Sequence, residues 1–421
     1  MDFIHQFIKE PIKYSIPIFF ILIGIELLVA RLKKEHLYRF NDAIANLSCG
    51  IGSQVSGIFL KVLTFYAYVW LYENHSPFKG QIPTTWWSVV ALFIGVDFFY
   101  YWFHRLAHEI AVMWGSHVVH HQSEEYNLTV ALRQAWLQGA FSWLFYLPLA
   151  FLGFQPVVFA SIAGFQTLYQ FWIHTKTINK LPAPFEYVFN TPSHHRVHHG
   201  VNPKYIDRNH GGTLIIFDRM FGTFQAEEEE VVYGITKQTN SWNPLWVNFE
   251  YWIDLFKNAL KASRWKDKFK ILFKPPGWYP DELGGVQQPH EVSAATFRKY
   301  DEKAPRGLNL YVFLHYIIVL AGTTYFLFAI KGLRVKEFEP WHFVFVALII
   351  VSLVSLGAMF ERKRWVPVFE FLRLLFIAGA LIYFLQGSAN LLPVVAVTTV
   401  IAAGSILWIS RFRNSFTSQS F

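Results

Sequence analysis

Long apolar runs separated by short polar stretches dominate the chain. Runs of about the length a bilayer requires, roughly 20 residues, fall at 15–30, 44–72, 85–103, 135–153, 156–173, 310–330, 341–360, 368–386 and 391–409. This pattern predicts an all-α, multi-pass membrane protein with about nine transmembrane or re-entrant helices. The fourth and fifth runs are joined only by a few residues around Phe154 and Gln155, so they can pair as a hairpin that does not fully cross. Residues 1–17 have neither a basic n-region nor a following A-x-A cleavage site, so the first run is read as a retained span.

Basic residues fall between the runs with a bias toward one side, as the positive-inside rule requires. With the N-terminus outside, the cytoplasmic segments carry Arg31, Lys33, Lys34 and Arg39, then Arg105 and Arg133, the long stretch 174–308, Arg362-Lys363-Arg364, and Arg411 and Arg413. The opposite loops keep Lys79, Lys331, Arg334 and Lys336. The active face is therefore expected on the cytoplasmic side, of the endoplasmic reticulum in a eukaryote or of the inner membrane in a bacterium. Three regions follow: an N-terminal membrane anchor (1–84), a core holding the motif histidines and the one long polar stretch (85–308), and a C-terminal transmembrane block (309–421). The acidic run Glu227–Glu230 reads as a solvated loop.

Composition agrees with a membrane setting. The chain of 421 residues is 53% hydrophobic, 19% aromatic and 16% charged, whereas soluble domains average about 45–50% apolar and about 25% charged. Its 43 Phe and 16 Trp suit lipid-facing helices and interfacial belts. A single cysteine, Cys49, excludes an internal disulfide framework and any cysteine-based zinc or iron–sulfur site. The net charge of +8 is accounted for by the loops between spans, so nucleic acid is not an expected partner.

Histidine carries the chemistry. Of 17 histidines, ten lie in four tight groups: His104 and His108; His117, His120 and His121; His174; and His194, His195, His198 and His199. Residues three and four apart share a helix face, so each multi-histidine word can aim its imidazoles at one point. Eight to ten imidazoles exceed the ligand set of one zinc ion and can furnish two metal ions. The ligand type alone does not name the metal, because imidazole suits iron, zinc, copper and nickel. His5, His36, His75, His290, His315 and His342 stand apart and read as packing or hydrogen-bonding residues; His210 is set aside as a weaker candidate. Asp97, Glu109, Glu124, Glu125, Asp207 and Asp218 are the carboxylates placed to accept an outer imidazole N–H. Asp97 lies inside an apolar run, where an ionisable group needs a partner or a function; a salt bridge to Arg105 or Arg133 competes with a catalytic role.

These words resemble the fatty acid hydroxylase/sterol desaturase superfamily. The stretches DFFYYWFHRLAHE (97–109), HVVHHQSEEYNLTVALRQ (117–134), YQFWIHT (169–175), NTPSHHRVHHGVN (190–202) and GGTLIIFDRMFGTFQAEEEEVVYG (211–234) are most similar to the branch that cleaves alkylglycerol ether lipids. The likeness is close over residues 85–250, and the block after 309 agrees with that branch's longer membrane tail. The resemblance implies a two-iron, oxygen-activating centre. His104, His108, His117, His120, His121, His195, His198 and His199 match the eight-histidine iron motif, and His174 and His194 match further histidines of the branch. Glu109 stands in the H-E word that the branch associates with its tetrahydrobiopterin reductant. His210 is a departure, since the branch carries Tyr after D-x-N.

The activity so implied is an O2-dependent monooxygenation of the carbon beside the ether oxygen, with lipid entering from the bilayer and electrons arriving from an external reductant. The chain has no fused cytochrome b5 haem word and no G-x-G-x-x-G opening a soluble βαβ unit. A sterol or fatty-acid hydroxylase or desaturase of the same superfamily is the nearest rival. A membrane metal transporter or metal-binding protein is the rival of another class, and would place its histidines along a path within the spans.

Overall fold

The apolar runs become helices in the computed structural model of the chain, which describes residues 11–330 and 337–416. Residues 1–10, with His5, and Lys331, Arg334 and Lys336 lie outside the described residues. The architecture is all-α: among the described residues only two isolated bridges occur, Phe189 with Leu214 and Gly200 with Tyr233.

Among the described residues, seven helices are long and apolar enough to cross a membrane. They are α1 (Pro11–Lys33), α2 (Phe40–His75), α3 (Trp86–Glu109) and, in the C-terminal block, four more. The fourth and fifth apolar runs form shorter helices, α6 (Gly139–Phe151) and α7 (Pro156–Trp172). At 1.5 Å per residue these span about 20 and 26 Å, against about 30 Å of hydrocarbon. Both fall short of a full crossing, and each packs along α3. Between α3 and α6 lie α4 (Ala111–Trp114) and α5 (Val118–His121); after α7 come α8 (Ala183–Val188), α9 (Pro192–His198) and α10 (Ile216–Phe221).

The histidines belong to a unit made of residues 1–53, 57–239 and 248–299. The N-terminal helices pack directly onto this unit's loops. Phe19 of α1 stacks on Phe171 of α7 with centroids 4.3 Å apart. Glu26, also on α1, accepts hydrogen bonds from the Leu128 N–H at 2.8 Å and from the hydroxyls of Tyr38 and Thr175. A carboxylate within a span is costly unless satisfied, and these three donors fasten α1 to the segments that follow His121 and His174. At the start of α2, Arg39 pairs with Glu124 and Glu125 at 3.2 and 2.6 Å, and Lys299 adds a second cation to Glu125 at 2.7 Å. Those two glutamates thus hold the loop to α2.

Asp97 ties three elements together. It is fully buried on α3 and accepts hydrogen bonds from the Thr213 and Leu214 N–H groups, both at 2.8 Å, and from the Gln166 amide on α7 at 2.5 Å. Neither Arg105 nor Arg133 is its partner: Arg105 pairs with Glu109 at 2.8 Å, and Arg133 donates to the Val119 carbonyl and to Asn46. A Cβ at Gly212 would lie 2.8 Å from Asp97 Oδ1, Gln166 Nε2 and Tyr100 Cδ1, so only glycine lets the loop come this close.

The acidic run differs from expectation at its first residue. Glu228 and Glu230 are exposed, but Glu227 takes a bidentate pair from Arg196, both bonds 2.7 Å. Arg196 also donates to the carbonyls of Thr175, Ile178 and Asn179. The run therefore clamps α9 against the segment after His174.

The second unit comprises residues 54–56, 240–247 and 300–421. Its helices are α13 (Arg306–Ala329), α14 (Pro340–Phe360), α15 (Val366–Phe384) and α16 (Leu391–Ser410), preceded in the chain by α11 (Pro244–Lys261) and α12 (Trp265–Phe273). Only 11% of the apolar window of α16 is buried, which suits a lipid-facing surface. Inside, Glu370 and Arg373 form a fully buried pair completed by Tyr311, Ser355 and His315. Each charge within these spans has several polar partners, as the membrane interior demands.

Candidate metal centre

Helix α3 runs from an apolar start to a polar end, and its last two turns bring His104 and His108 to one face. The chain then turns through α4, so that His117 precedes α5 and His120 and His121 end it. Pro192 at the first helical position starts α9, which carries His194, His195 and His198, with His199 at its end. His174 follows α7. Nine of these ten histidines converge in two groups, one of His104, His108, His117, His121 and His198 and the other of His120, His174, His195 and His199; the ligand atoms of each lie within 4.8 Å of one another and all nine residues are buried. The groups adjoin, with the His121 and His199 rings stacked 4.4 Å apart.

The histidine words do not each serve one point, as their spacing suggested. Within a word, members of one group are four residues apart: His104/His108, His117/His121 and His195/His199. His120 and His198 cross to the other group, because adjacent helical residues diverge by about 100°. Two intertwined words therefore build both pockets.

Outer hydrogen bonds fix which nitrogen faces inward. His104 Nδ1 donates to the His210 carbonyl at 2.7 Å, His120 to Arg133 at 2.9 Å, His174 to Gln170 at 2.7 Å, and His198 to Arg208 at 2.9 Å. A carbonyl can only accept, so each of these rings turns its Nε2 lone pair inward. His120 Nε2 and His174 Nε2 then face each other at 3.1 Å, lone pair to lone pair, an arrangement that a cation shared by both relieves. Nε2 of His108, His198 and His199 is buried without a protein partner. The donor set thus fits two metal ions held by imidazole.

The Fatty acid hydroxylase family model matches residues 89–223, which contain all nine converging histidines. The chain is similar to alkylglycerol monooxygenase of Xenopus tropicalis, 39% identical over 361 residues, covering 85% of this chain and 79% of the relative. It is likewise similar to alkylglycerol monooxygenase of Homo sapiens, 38% identical over 373 residues, covering 87% and 82%. The chain belongs to the alkylglycerol monooxygenase family. A partial likeness, 28% identity over 191 residues, extends to ornithine lipid hydroxylase of Rhizobium tropici and covers 44% of this chain and 57% of that protein. No solved structure matches the chain.

For this family member, the remaining candidates divide clearly. His194 joins neither group: its Nδ1 lies 3.3 Å from the Thr191 hydroxyl and its ring meets Phe224 edge-on. Asp207 faces His108 Nδ1 at 3.3 Å, as an orienting carboxylate should. Asp218 acts one step further out, accepting from the His210 and Gly211 N–H groups, both at 2.7 Å, and so fixes the carbonyl that orients His104. Glu109 contacts no histidine; it pairs with Arg105 and its side chain is 38% exposed. His36, His75, His290, His315 and His342 join neither group among the described residues. Sequence reasoning missed the segment 207–210 as a unit. It supplies the outer acceptors for His104, His108 and His198, and two of its residues, Asp207 and Asn209, adopt positive φ of 56° and 57°. The D-x-N word carried that signal, since Asp and Asn tolerate this conformation best.

Burial also sets the charge of the cluster. It lowers the His120 imidazole from 6.5 to about 4, and lowers His117, His121, His195, His198 and His199 well below the ordinary range. The folded, metal-stripped protein therefore keeps these rings neutral where the unfolded chain protonates them. Between pH 6.5 and 4 the unfolded state binds the extra protons, so stability rises with pH across that window and is lost as pH falls through it. From His120 alone the loss is on the order of 3 kcal/mol. Thermal unfolding of the stripped protein is expected to show a midpoint that drops steadily from about pH 7 to about pH 4.5; a flat profile would mean that the imidazoles are not held neutral.

Proposed function

We propose that the chain oxidises alkylglycerol lipids at two iron ions, one held by His104, His108, His117, His121 and His198 and the other by His120, His174, His195 and His199. The observation carrying this reading is the pair of adjoining, buried, all-imidazole pockets, five of whose rings are oriented by outer hydrogen bonds. When bound, the irons supply the oxidising power to insert one atom of O2 into a C–H bond. The carbon beside the ether oxygen gains a hydroxyl, and the second oxygen atom leaves as water with two electrons and two protons from a tetrahydropterin, which becomes dihydropterin. The hemiacetal then collapses: its hydroxyl proton leaves, the C=O bond forms, and the ether C–O bond breaks to give a fatty aldehyde and a glycerol hydroxyl.

The chain's own residues position and shield. Trp114 lies against His108 and His121 with centroids 4.7 and 5.3 Å away, and Tyr126 covers His199 at 5.3 Å. These rings keep bulk water from the pockets. The pockets sit at the end of α3, a span, which suits a substrate whose alkyl chain stays in the bilayer while its glycerol end reaches the metals. The basic residues flanking the spans support a cytoplasmic face. Glu109, accessible and held by Arg105, offers a carboxylate to the N–H groups of a diffusible pterin. Purified protein given alkylglycerol, O2 and tetrahydropterin is expected to release fatty aldehyde, and the same mixture with cytochrome b5 and its reductase replacing the pterin is not. A hydroxylated product with an intact ether would favour a sterol or fatty-acid type of hydroxylase, and turnover without pterin would overturn the reductant.

A further inference from the structure

His210 is fully buried, and neither of its ring nitrogens makes a well-formed hydrogen bond; the one protein acceptor near the ring is the Asp207 backbone. Its ring centroid lies 5.0 Å from His108, 5.6 Å from His104 and 5.7 Å from His198, three members of the five-histidine pocket. Its backbone is fixed on both sides, the N–H by Asp218 and the carbonyl by His104. The ring is therefore carried to the edge of the pocket by the same segment that orients the ligands. A buried imidazole with at least one nitrogen left unsatisfied is uncommon, and a small unseen partner is a usual explanation.

The spacing says what kind of partner. Ligands of one metal stand at most about 4.2 Å apart, twice a metal–nitrogen bond of about 2.1 Å. His210 stands outside the five histidines whose ligand atoms all lie within 4.8 Å of one another, so its place is beside that set. A gap beyond hydrogen-bond range between polar groups is the place for one small bridging molecule. Five imidazoles also leave one position free on a metal that takes six ligands.

We propose that His210 and the five-histidine pocket form a binding site for one small hydrogen-bonding ligand of the metal, a water, hydroxide or small anion, which the His210 imidazole holds in place. This inference rests on the metal reading above and makes His210 a positioning residue. The probe is azide, titrated into the ferric protein and followed by its visible charge-transfer band, alongside metal analysis. His210→Phe keeps the ring's bulk and is expected to retain the metal content of the wild type while binding azide about 10- to 100-fold more weakly, the worth of one hydrogen bond to a charged group. His210→Gln, which restores a donor, is expected to recover most of that affinity and the wild-type band position. Unchanged azide binding in a fully metal-loaded His210→Phe protein would overturn this inference alone. So would metal loss as large as that of His198→Ala, since His210 would then be a ligand. Wild-type protein that takes up no metal would overturn the reading of the centre, and this inference with it.

Discussion

Alanine at His120 is expected to cost the protein about one metal ion per chain and to reduce aldehyde release on the order of a thousandfold. The lost ion belongs to the pocket of His120, His174, His195 and His199, and the ion of the other pocket stays. His198→Ala is expected to do the converse, because the two residues cross between words: His198 serves the five-histidine pocket although its neighbours His195 and His199 serve the other. The double variant should lose both ions. His194→Ala is the control, since that ring joins neither group and its removal should leave metal content unchanged. Elemental analysis of purified variants reads all four outcomes. Full metal retention in His120→Ala would refute the assignment, and loss of both ions from either single variant would refute the partition.

Asp97→Ala is expected to destabilise the protein by about 3–5 kcal/mol, because three buried donors would lose their acceptor at about 1–3 kcal/mol each. The donors are the Gln166 amide and the Thr213 and Leu214 N–H groups, so the substitution releases α7 and the loop after His210 from α3 together. The unfolding midpoint should fall by roughly 10 °C, taking about 2–4 °C per kcal/mol for a unit of this size. Metal content should fall with it, since the same loop carries the acceptors for His104 and His198. Asp97→Asn should recover little, because its amide NH2 would face N–H donors. A variant with wild-type stability and metal but no activity would instead return Asp97 to the chemistry.

Much of this was legible in the chain. Apolar runs of span length announced the helices, and the short link at Phe154–Gln155 marked the break between α6 and α7. The four-residue spacings of His104/His108, His117/His121 and His195/His199 announced shared faces. What the spacing could not tell is where each face points. His120 and His198 changed partners because adjacent helical residues point about 100° apart, so His120 and His121, like His198 and His199, face different pockets. The orienting groups were less legible still. Carboxylates announce themselves in a sequence, and Asp207 does orient His108, but His104, His120, His174 and His198 lean on backbone carbonyls, which every residue possesses. Glu124 and Glu125 looked like orienting acids and proved to be ion-pair partners of Arg39, a residue more than 80 positions away.

That preference for carbonyl acceptors has an electronic consequence. A carboxylate behind an imidazole pulls on its outer proton and lends the ring anionic character, whereas a carbonyl leaves it a neutral donor. Four rings backed by carbonyls and one by a carboxylate would leave the positive charge of two divalent ions little compensated in a water-poor pocket. Oxidation adds further charge there and becomes costly, so the resting centre should favour its reduced form and hold a high reduction potential. The outer carbonyls would thus set the driving force of the reaction as well as the direction of the rings.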